Sequence, residues 1–275
     1  MSEINPLFDI SGSTAVVTGA SGVLGESCCR ALIQAGVKIA CMGRDQKRIH
    51  TLSESLGRGG SESMSIVADC LDRPSLEAAR DAVKARWGRI DFLLNFAGGN
   101  RPDATTSVDR KFFDLPQEAL AGAVNLNLLG TILPCQVFGQ QMAAQGKGVI
   151  LNISSMAASR PLTRVVGYSA AKAAVDNFTQ WLAVHLAKEY SPNIRCNALA
   201  PGFFLTEQNR FLLTDKESGQ PTERGKSILA HTPMARFGNP DDLTGGILWL
   251  LSPAAKFVTG IVLPIDGGFN AFSGV

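Results

Sequence analysis

Short apolar runs alternate with amphipathic stretches along nearly the whole chain. Thr14–Thr18, Val37–Met42, Ser65–Ala68, Asp91–Asn95, Val149–Ile153, Asn193–Ala198 and Ile261–Ile265 have the length and composition of strands. Between them, apolar residues recur at helical spacing over Val23–Ala35, Asp45–Leu56, Pro74–Trp87, Pro116–Gln145, Val166–Tyr190 and Asp241–Leu251. The strands are nearly continuous in apolar residues, as expected when both faces of a sheet are covered. Strict alternation with short connectors means βαβ units. The expectation is an α/β fold: one doubly wound parallel sheet of about seven strands with helices on both faces. No repeat or linker interrupts it, so residues 1–275 read as one domain. Gly202–Asn239 is the long polar break in the rhythm, and such loops are usually functional lids.

Composition narrows the classes. Of 275 residues, 45% are hydrophobic and 18% charged, too apolar for a disordered chain. A net charge of +2 argues against nucleic acid as a partner. The 28 glycines have no collagen-like period. Met1–Ile10 lacks a basic stretch followed by an apolar run, so no secretory leader is expected. The charge-free run Ala119–Gln145 is long enough to raise a membrane question. Asn125, Asn127, Pro134, Gln136, Gln140 and Gln141 interrupt it, so it reads as a helix covered by the sheet on one side and another subunit on the other. Cys28, Cys29, Cys41, Cys70, Cys135 and Cys196 form no C-x-x-C pair and read as buried thiols in a reducing, cytoplasmic setting. His50, His185 and His231 show no metal-ligand spacing, and no metal is expected. Trp87, Trp181 and Trp249 fall in apolar helical patterns and read as core or interface.

Two stretches carry candidate chemistry. Thr18-Gly-Ala-Ser-Gly-Val-Leu-Gly25 follows the first strand and opens the first helix, where backbone N–H groups can meet a pyrophosphate. The alternative is a tight turn without a ligand. Tyr168 and Lys172 lie four apart, on one face of a helix. A neighbouring ammonium should lower the phenol pKa and make Tyr168 a general acid/base, though such pairs are usually surface neighbours. Ser155 ends the Val149–Ile153 strand region at the carboxyl edge of the sheet; it could equally cap the next helix.

These residues, with Asp69, Asn95-Phe-Ala-Gly98, Asn127, Pro201-Gly202 and Asp266-Gly-Gly268 in the same order, resemble the short-chain dehydrogenase/reductase family over essentially the whole chain. The resemblance implies a Rossmann-type fold and nicotinamide-dependent hydride transfer. It implies that Tyr168 exchanges a proton with the substrate oxygen and that Ser155 polarises the carbonyl. Lys172 would lower the Tyr168 pKa and hold the nicotinamide ribose, and Asn127 would support a water in a proton relay. Gly19, Ser21, Gly22, Val23 and Leu24 would approach the phosphates. Asp69 and Cys70 would meet the adenine, Asn95, Ala97 and Gly98 the adenine ribose, and Pro201, Gly202, Phe204 and Thr206 the nicotinamide. Two departures stand out: Val23 replaces the middle glycine of the usual turn, and Phe96 replaces an asparagine.

An acidic residue after the second strand would grip the ribose hydroxyls of NAD. Arg44 stands there instead, and a guanidinium suits a 2′-phosphate, so NADP is favoured, with NAD the alternative if Arg44 only stacks or faces solvent. Asn95–Thr106, Phe112–Leu115, Ala200–Arg210, His231–Gly238 and the C-terminal Asp266–Val275 resemble the D-mannonate oxidoreductase (fructuronate reductase) branch. That branch implies a hexuronate or aldonate as the small-molecule substrate. Asn100, Arg101, Arg160, Arg164, Gln208, Asn209 and Arg210 are the candidate contacts, an arginine pairing with the carboxylate. A 3-oxoacyl-carrier-protein-type reductase, another polyol dehydrogenase, and a non-catalytic nucleotide sensor are the alternatives. The family resemblance also implies a homotetramer built on the Ala119–Gln145 and Val166–Tyr190 helices.

Overall fold

The computed structural model describes residues 6–57, 62–206, 210–216 and 218–274. Seven parallel strands form one sheet: β1 (Thr14–Thr18), β2 (Lys38–Gly43), β3 (Ser63–Val67), β4 (Phe92–Asn95), β5 (Gly148–Ile153), β6 (Ile194–Pro201) and β7 (Val262–Ile265). Their spatial order is β3-β2-β1-β4-β5-β6-β7. Register is set by runs such as Ala15 opposite Phe92 and Thr18 opposite Asn95. Every residue of β1, β4, β5 and β6 is buried, because helices cover both faces.

Strand alternation divides the core into two layers. Ala15 and Val17 of β1 join one cluster with Cys29 and Leu32 of α1 (Val23–Gln34), Ile49 of α2 (Gln46–Leu56), and Ile247. Val16 points the other way, into a cluster with Leu76 of α3 (Arg73–Trp87), Phe138 and Leu182. The period of two in the strand thus feeds two helical layers. All six cysteines are buried and unbridged, matching the sequence reading.

The Pro116–Gln145 stretch departs from the single helix its pattern suggests. It divides into α4 (Gln117–Val124), one π turn over Asn125–Leu129 and α5 (Gly130–Gln145). Its length and hydropathy would suit a membrane span, but α5 packs on β4 and β5, and α4 on the later helix α7 (Val166–Glu189). Single π turns recur at functional positions, and this one carries Asn127. The short helix α6 (Met156–Ser159) follows β5. The segment after Gly202 is less irregular than its composition suggests: it holds α8 (Arg210–Leu213) and α9 (Glu223–Ala230). The Asp241–Leu251 pattern begins as a 3-10 turn, Pro240–Leu243, before α10 (Thr244–Leu251).

Candidate active site

β1 and β4 are neighbours in the sheet, yet the helices that follow them pack on opposite faces. A crevice therefore opens above their carboxyl ends, the usual ligand position in such sheets. Gly19 leaves β1 in the left-handed region, φ 62°, and a Cβ there would sit 2.7 Å from the Ala97 nitrogen. A Cβ on Gly25 would run into the Gly19 carbonyl oxygen. The turn is thus packed backbone to backbone, and side chains are excluded. Gly22 caps α1 with no side chain, and its N–H donates to the Gly19 carbonyl at 3.0 Å. The first-turn N–H groups, including those of Val23 and Leu24, are left for a ligand, and helix N-termini favour anions. This cradle fits a dinucleotide phosphate.

β4 and β5 supply the floor. Ala97 N–H donates to Thr18 Oγ1 at 3.1 Å, pinning the strand that carries Gly98. Asn127 is fully buried. Its amide donates to the carbonyls of Gly99 (2.8 Å) and Ala123 (2.9 Å), and its Oδ1 accepts from Gly99 N–H at 3.0 Å. Its side chain is therefore a clamp on the Gly98–Gly99 backbone. Its carbonyl accepts from Thr131 Oγ1 at 2.9 Å.

Lys172, 4% exposed, reaches the end of β5 and donates from Nζ to the Ile153 carbonyl at 2.6 Å. Its ammonium lies 5.7 Å from the Tyr168 ring centre. Burial brings its pKa down to about 8, partly offset by Asp176 one turn on. Tyr168 runs against the sequence expectation. Burial raises its pKa, and Ser155 acts in the opposite direction. The ammonium lies over the ring as a cation–π neighbour. Ser155 takes the alternative role foreseen for it: Oγ accepts from Ala157 N–H at 3.1 Å as the cap of α6. These three side chains gather at the carboxyl edge of the sheet.

The family comparison agrees with this geometry. The model of the family described as enoyl-(acyl carrier protein) reductase matches residues 19–270. The uncharacterized oxidoreductase UxuB of Bacillus subtilis is 43% identical over 98% of this chain and 99% of its own length. The chain is a short-chain dehydrogenase/reductase. Members of this family are NAD(P)-dependent oxidoreductases acting on CH–OH groups, and the chain shares that chemistry. A Haemophilus influenzae structure, provisionally described as a D-mannonate oxidoreductase with bound NAD, superposes with a TM-score of 0.91. It is 40% identical, over 97% of this chain and 98% of that one. A gluconate 5-dehydrogenase from Burkholderia cenocepacia, in complex with NADP and tartrate, gives 0.86 at 30% identity, over 97% of this chain and 98% of its own.

Within this short-chain dehydrogenase the remaining candidates separate. Asn95 turns its amide into the sheet, donating to Asn152 Oδ1 (2.9 Å) and Cys135 Sγ (3.2 Å), so only its backbone is near the crevice. Cys70 lies against Thr18, and burial pushes its thiol up to about 12. Asp69 Oδ1 accepts from Leu71 N–H at 2.9 Å. Pro201 ends β6, and Gly202 N–H donates to the Ile265 carbonyl at 3.0 Å. Phe204 is 4% exposed in the core, beside Gly238, so it is a wall rather than an open contact. Thr206 accepts at its carbonyl from Arg210 N–H at 2.9 Å.

Arg44 is exposed after β2. Arg48 beside it, missed in the sequence, donates from Nη2 to the Ser21 carbonyl at 2.6 Å. Asn100 is spent on Thr105 (2.9 Å), Arg101 on Asp103 (2.6 Å) and Arg160 on the Asn270 carbonyl (2.7 Å). Those three are therefore poor substrate contacts as they stand. Arg164 and Arg210 are exposed, and Gln208 and Asn209 lie outside the described residues.

Proposed function

We propose that this enzyme reduces a keto sugar acid to its hydroxy acid, fructuronate to D-mannonate, or runs the reverse oxidation. The catalytic set is Asn127, Ser155, Tyr168 and Lys172. The observation that carries the reading is the enclosure of Lys172 between the Ile153 carbonyl and the Tyr168 ring, with Ser155 where β5 gives way to α6. The sugar-acid part is supported by the similarity to the structure described as a D-mannonate oxidoreductase.

The cofactor supplies the hydride. Tyr168 donates a proton to the substrate oxygen in reduction and removes one in oxidation. Burial holds Tyr168 as the neutral phenol, and Ser155 eases its ionisation while orienting the carbonyl. Lys172 holds positive charge near the phenolate that forms, and Asn127 fixes the Gly98–Gly99 backbone beside it. Gly19, Ser21, Gly22, Val23 and Leu24 hold the phosphates. Ala97, Gly98, Asp69 and Cys70 bound the adenosine side, and Pro201, Gly202, Phe204 and Thr206 the nicotinamide side.

NADP is the preferred cofactor in this reading. Arg44 and Arg48 are two guanidinium groups at the end of β2. The adjacent carboxylate, Asp45, is engaged as the cap of α2, accepting from Arg48 N–H at 3.0 Å. Residues 202–239 act as a substrate lid within a single domain. Leu129, Val166, Trp181 and Val184, each at least 40% exposed, form an apolar face on the α5–α7 side where other copies pack into a homotetramer. The setting is cytoplasmic. A panel of hexulosonates, aldonates, polyols and 3-oxoacyl thioesters, run with NADPH and NADH, tests the reading. Best turnover on an acyl thioester or a neutral polyol would refute the substrate, and sedimentation of a monomer would refute the assembly.

A further inference from the structure

Two arginines near the mouth lack the partners their neighbours have. Arg224 sits on the first turn of α9, half-buried. Its Nη1 lies 3.4 Å from Thr163 Oγ1, a long contact. Thr163 and Arg164 belong to the loop that leads from Ser155 to Tyr168. Glu223, the carboxylate next to Arg224 in sequence, is taken by Lys226 at 2.7 Å. Among the described residues neither Arg164 nor Arg224 makes an ion pair, whereas Arg101 and Arg236 are each matched to an aspartate.

The two charges also face each other. Burial pulls the Arg224 pKa down, and the Arg164 charge pulls it further. Like charges brought together in a partly desolvated place are unfavourable until an anion sits with them. Arg164 is held at φ 78°, the left-handed region, where a non-glycine residue costs energy. Its carbonyl is fixed there by Thr106 N–H at 3.0 Å. The start of α9 is fixed too: Thr222 accepts from Gly225 N–H at 3.1 Å. Two guanidinium groups, one on α9 and one on the loop before Tyr168, each offer the fork that matches a carboxylate.

We infer that Arg164 and Arg224 together bind the substrate carboxylate, Arg224 from the lid and Arg164 from the loop before Tyr168. This deepens the sugar-acid reading and rests on it. Binding of the acid neutralises the pair and draws α9 against the 160s loop, so recognition of the carboxylate and closure of the lid are one event.

The test compares fructuronate with D-fructose, its neutral counterpart, in wild type, Arg164→Gln, Arg224→Gln and Arg224→Lys. Titration of the NADP-loaded proteins with D-mannonate runs in parallel. Loss of charge-assisted hydrogen bonds should raise KM for fructuronate about 10- to 100-fold in each Gln variant. Turnover at saturation and the weak rate on D-fructose should stay within about 3-fold, and Arg224→Lys should fall between, since it keeps charge but loses the fork. Equal losses on acid and ketose would mean a structural role and overturn the clamp. Unchanged KM for the acid would overturn the clamp and leave the substrate reading standing. If wild type turns over no sugar acid but binds D-mannonate, and the Gln variants do not, the clamp stands and the substrate reading fails. If wild type neither turns over nor binds the acid, both fail.

Discussion

Asn127→Leu separates a structural clamp from a relay group. The substitution removes three hydrogen bonds, two part-buried ones to Gly99 and a buried one to the Ala123 carbonyl, at 2.8 to 3.0 Å. Each contributes about 1 kcal/mol net, so the loss is about 3 kcal/mol, more where Gly99 finds no water. Unfolding entropy scales with length, so for a chain of this size that loss lowers Tm by about 5 °C. Gly98 and Gly99 would also lose their anchor. A point beside Gly98 lies 2.8 Å from Asn127 Oδ1 and 3.4 Å from Lys172 Nζ, so movement there reaches the catalytic lysine. Urea unfolding and fluorescence titration with NADPH measure the two effects, and both should appear. Asn127→Asp keeps one acceptor for Gly99 N–H but turns two donors into acceptors facing carbonyls, and should be destabilised as well. A variant with wild-type Tm and cofactor affinity, impaired only in turnover, would refute the clamp and favour the relay.

Other outcomes follow from the same geometry. Tyr168→Phe should lower kcat by about 100- to 10,000-fold while leaving NADPH affinity within a factor of a few, measured by steady-state kinetics and titration. Reduction that needs the Lys172 ammonium should fall as pH rises through about 8. Asp176 raises that pKa, so Asp176→Asn should move the falling limb of kcat/KM to lower pH; an unmoved limb would remove Lys172 as its source. In stability the same lysine acts differently. Its folded pKa is depressed, so the cost of burying the ammonium is present below about 8 and is relieved between about 8 and 10.5. Arg44→Ala should cut kcat/KM for NADPH about 10-fold, the low end for an exposed charge-assisted contact, with NADH unaffected; an unchanged ratio of the two would assign 2′-phosphate contact elsewhere.

The sheet was legible because buried parallel strands have a plain signature. β1 and β5 are buried throughout and mostly apolar, and their ends fall within a residue or so of the expected ones. The proposed catalytic quartet was legible as a candidate set for another reason: Ser155 follows a strand end, and Tyr168 and Lys172 share one helix face. What did not show was anything decided by where a side chain turns. Asn95 matches the motif, yet its amide bonds Asn152 inside the sheet. Arg101 is a candidate substrate contact in sequence, but Asp103 two residues on accepts from its Nε and Nη2. The Tyr168 phenol was expected to be lowered by Lys172, but burial raises it, and four-residue spacing does not show burial. The π turn at Asn125–Leu129 leaves no mark in an apolar pattern, since one added residue per turn only rotates the stripe.

The buried polar chain below the site explains why so apolar a sheet keeps asparagines at its centre. Asn95 donates to Asn152 Oδ1, and Asn152 donates to Thr179 Oγ1 at 2.9 Å, which in turn donates to the Val175 carbonyl at 2.8 Å. Asn95, Asn152 and Thr179 are fully buried. The chain runs from β4 through β5 to α7 and fixes three elements against one another: the strand leading to Gly98, the strand leading to Ser155, and the helix bearing Tyr168 and Lys172. Apolar packing alone would tolerate small slides between them, because dispersion is not directional. Hydrogen bonds of this kind do not. A proton-transfer set drawn from separate elements needs fixed register, and a linked row of buried amides supplies it where a row of leucines would give comparable stability with less definition.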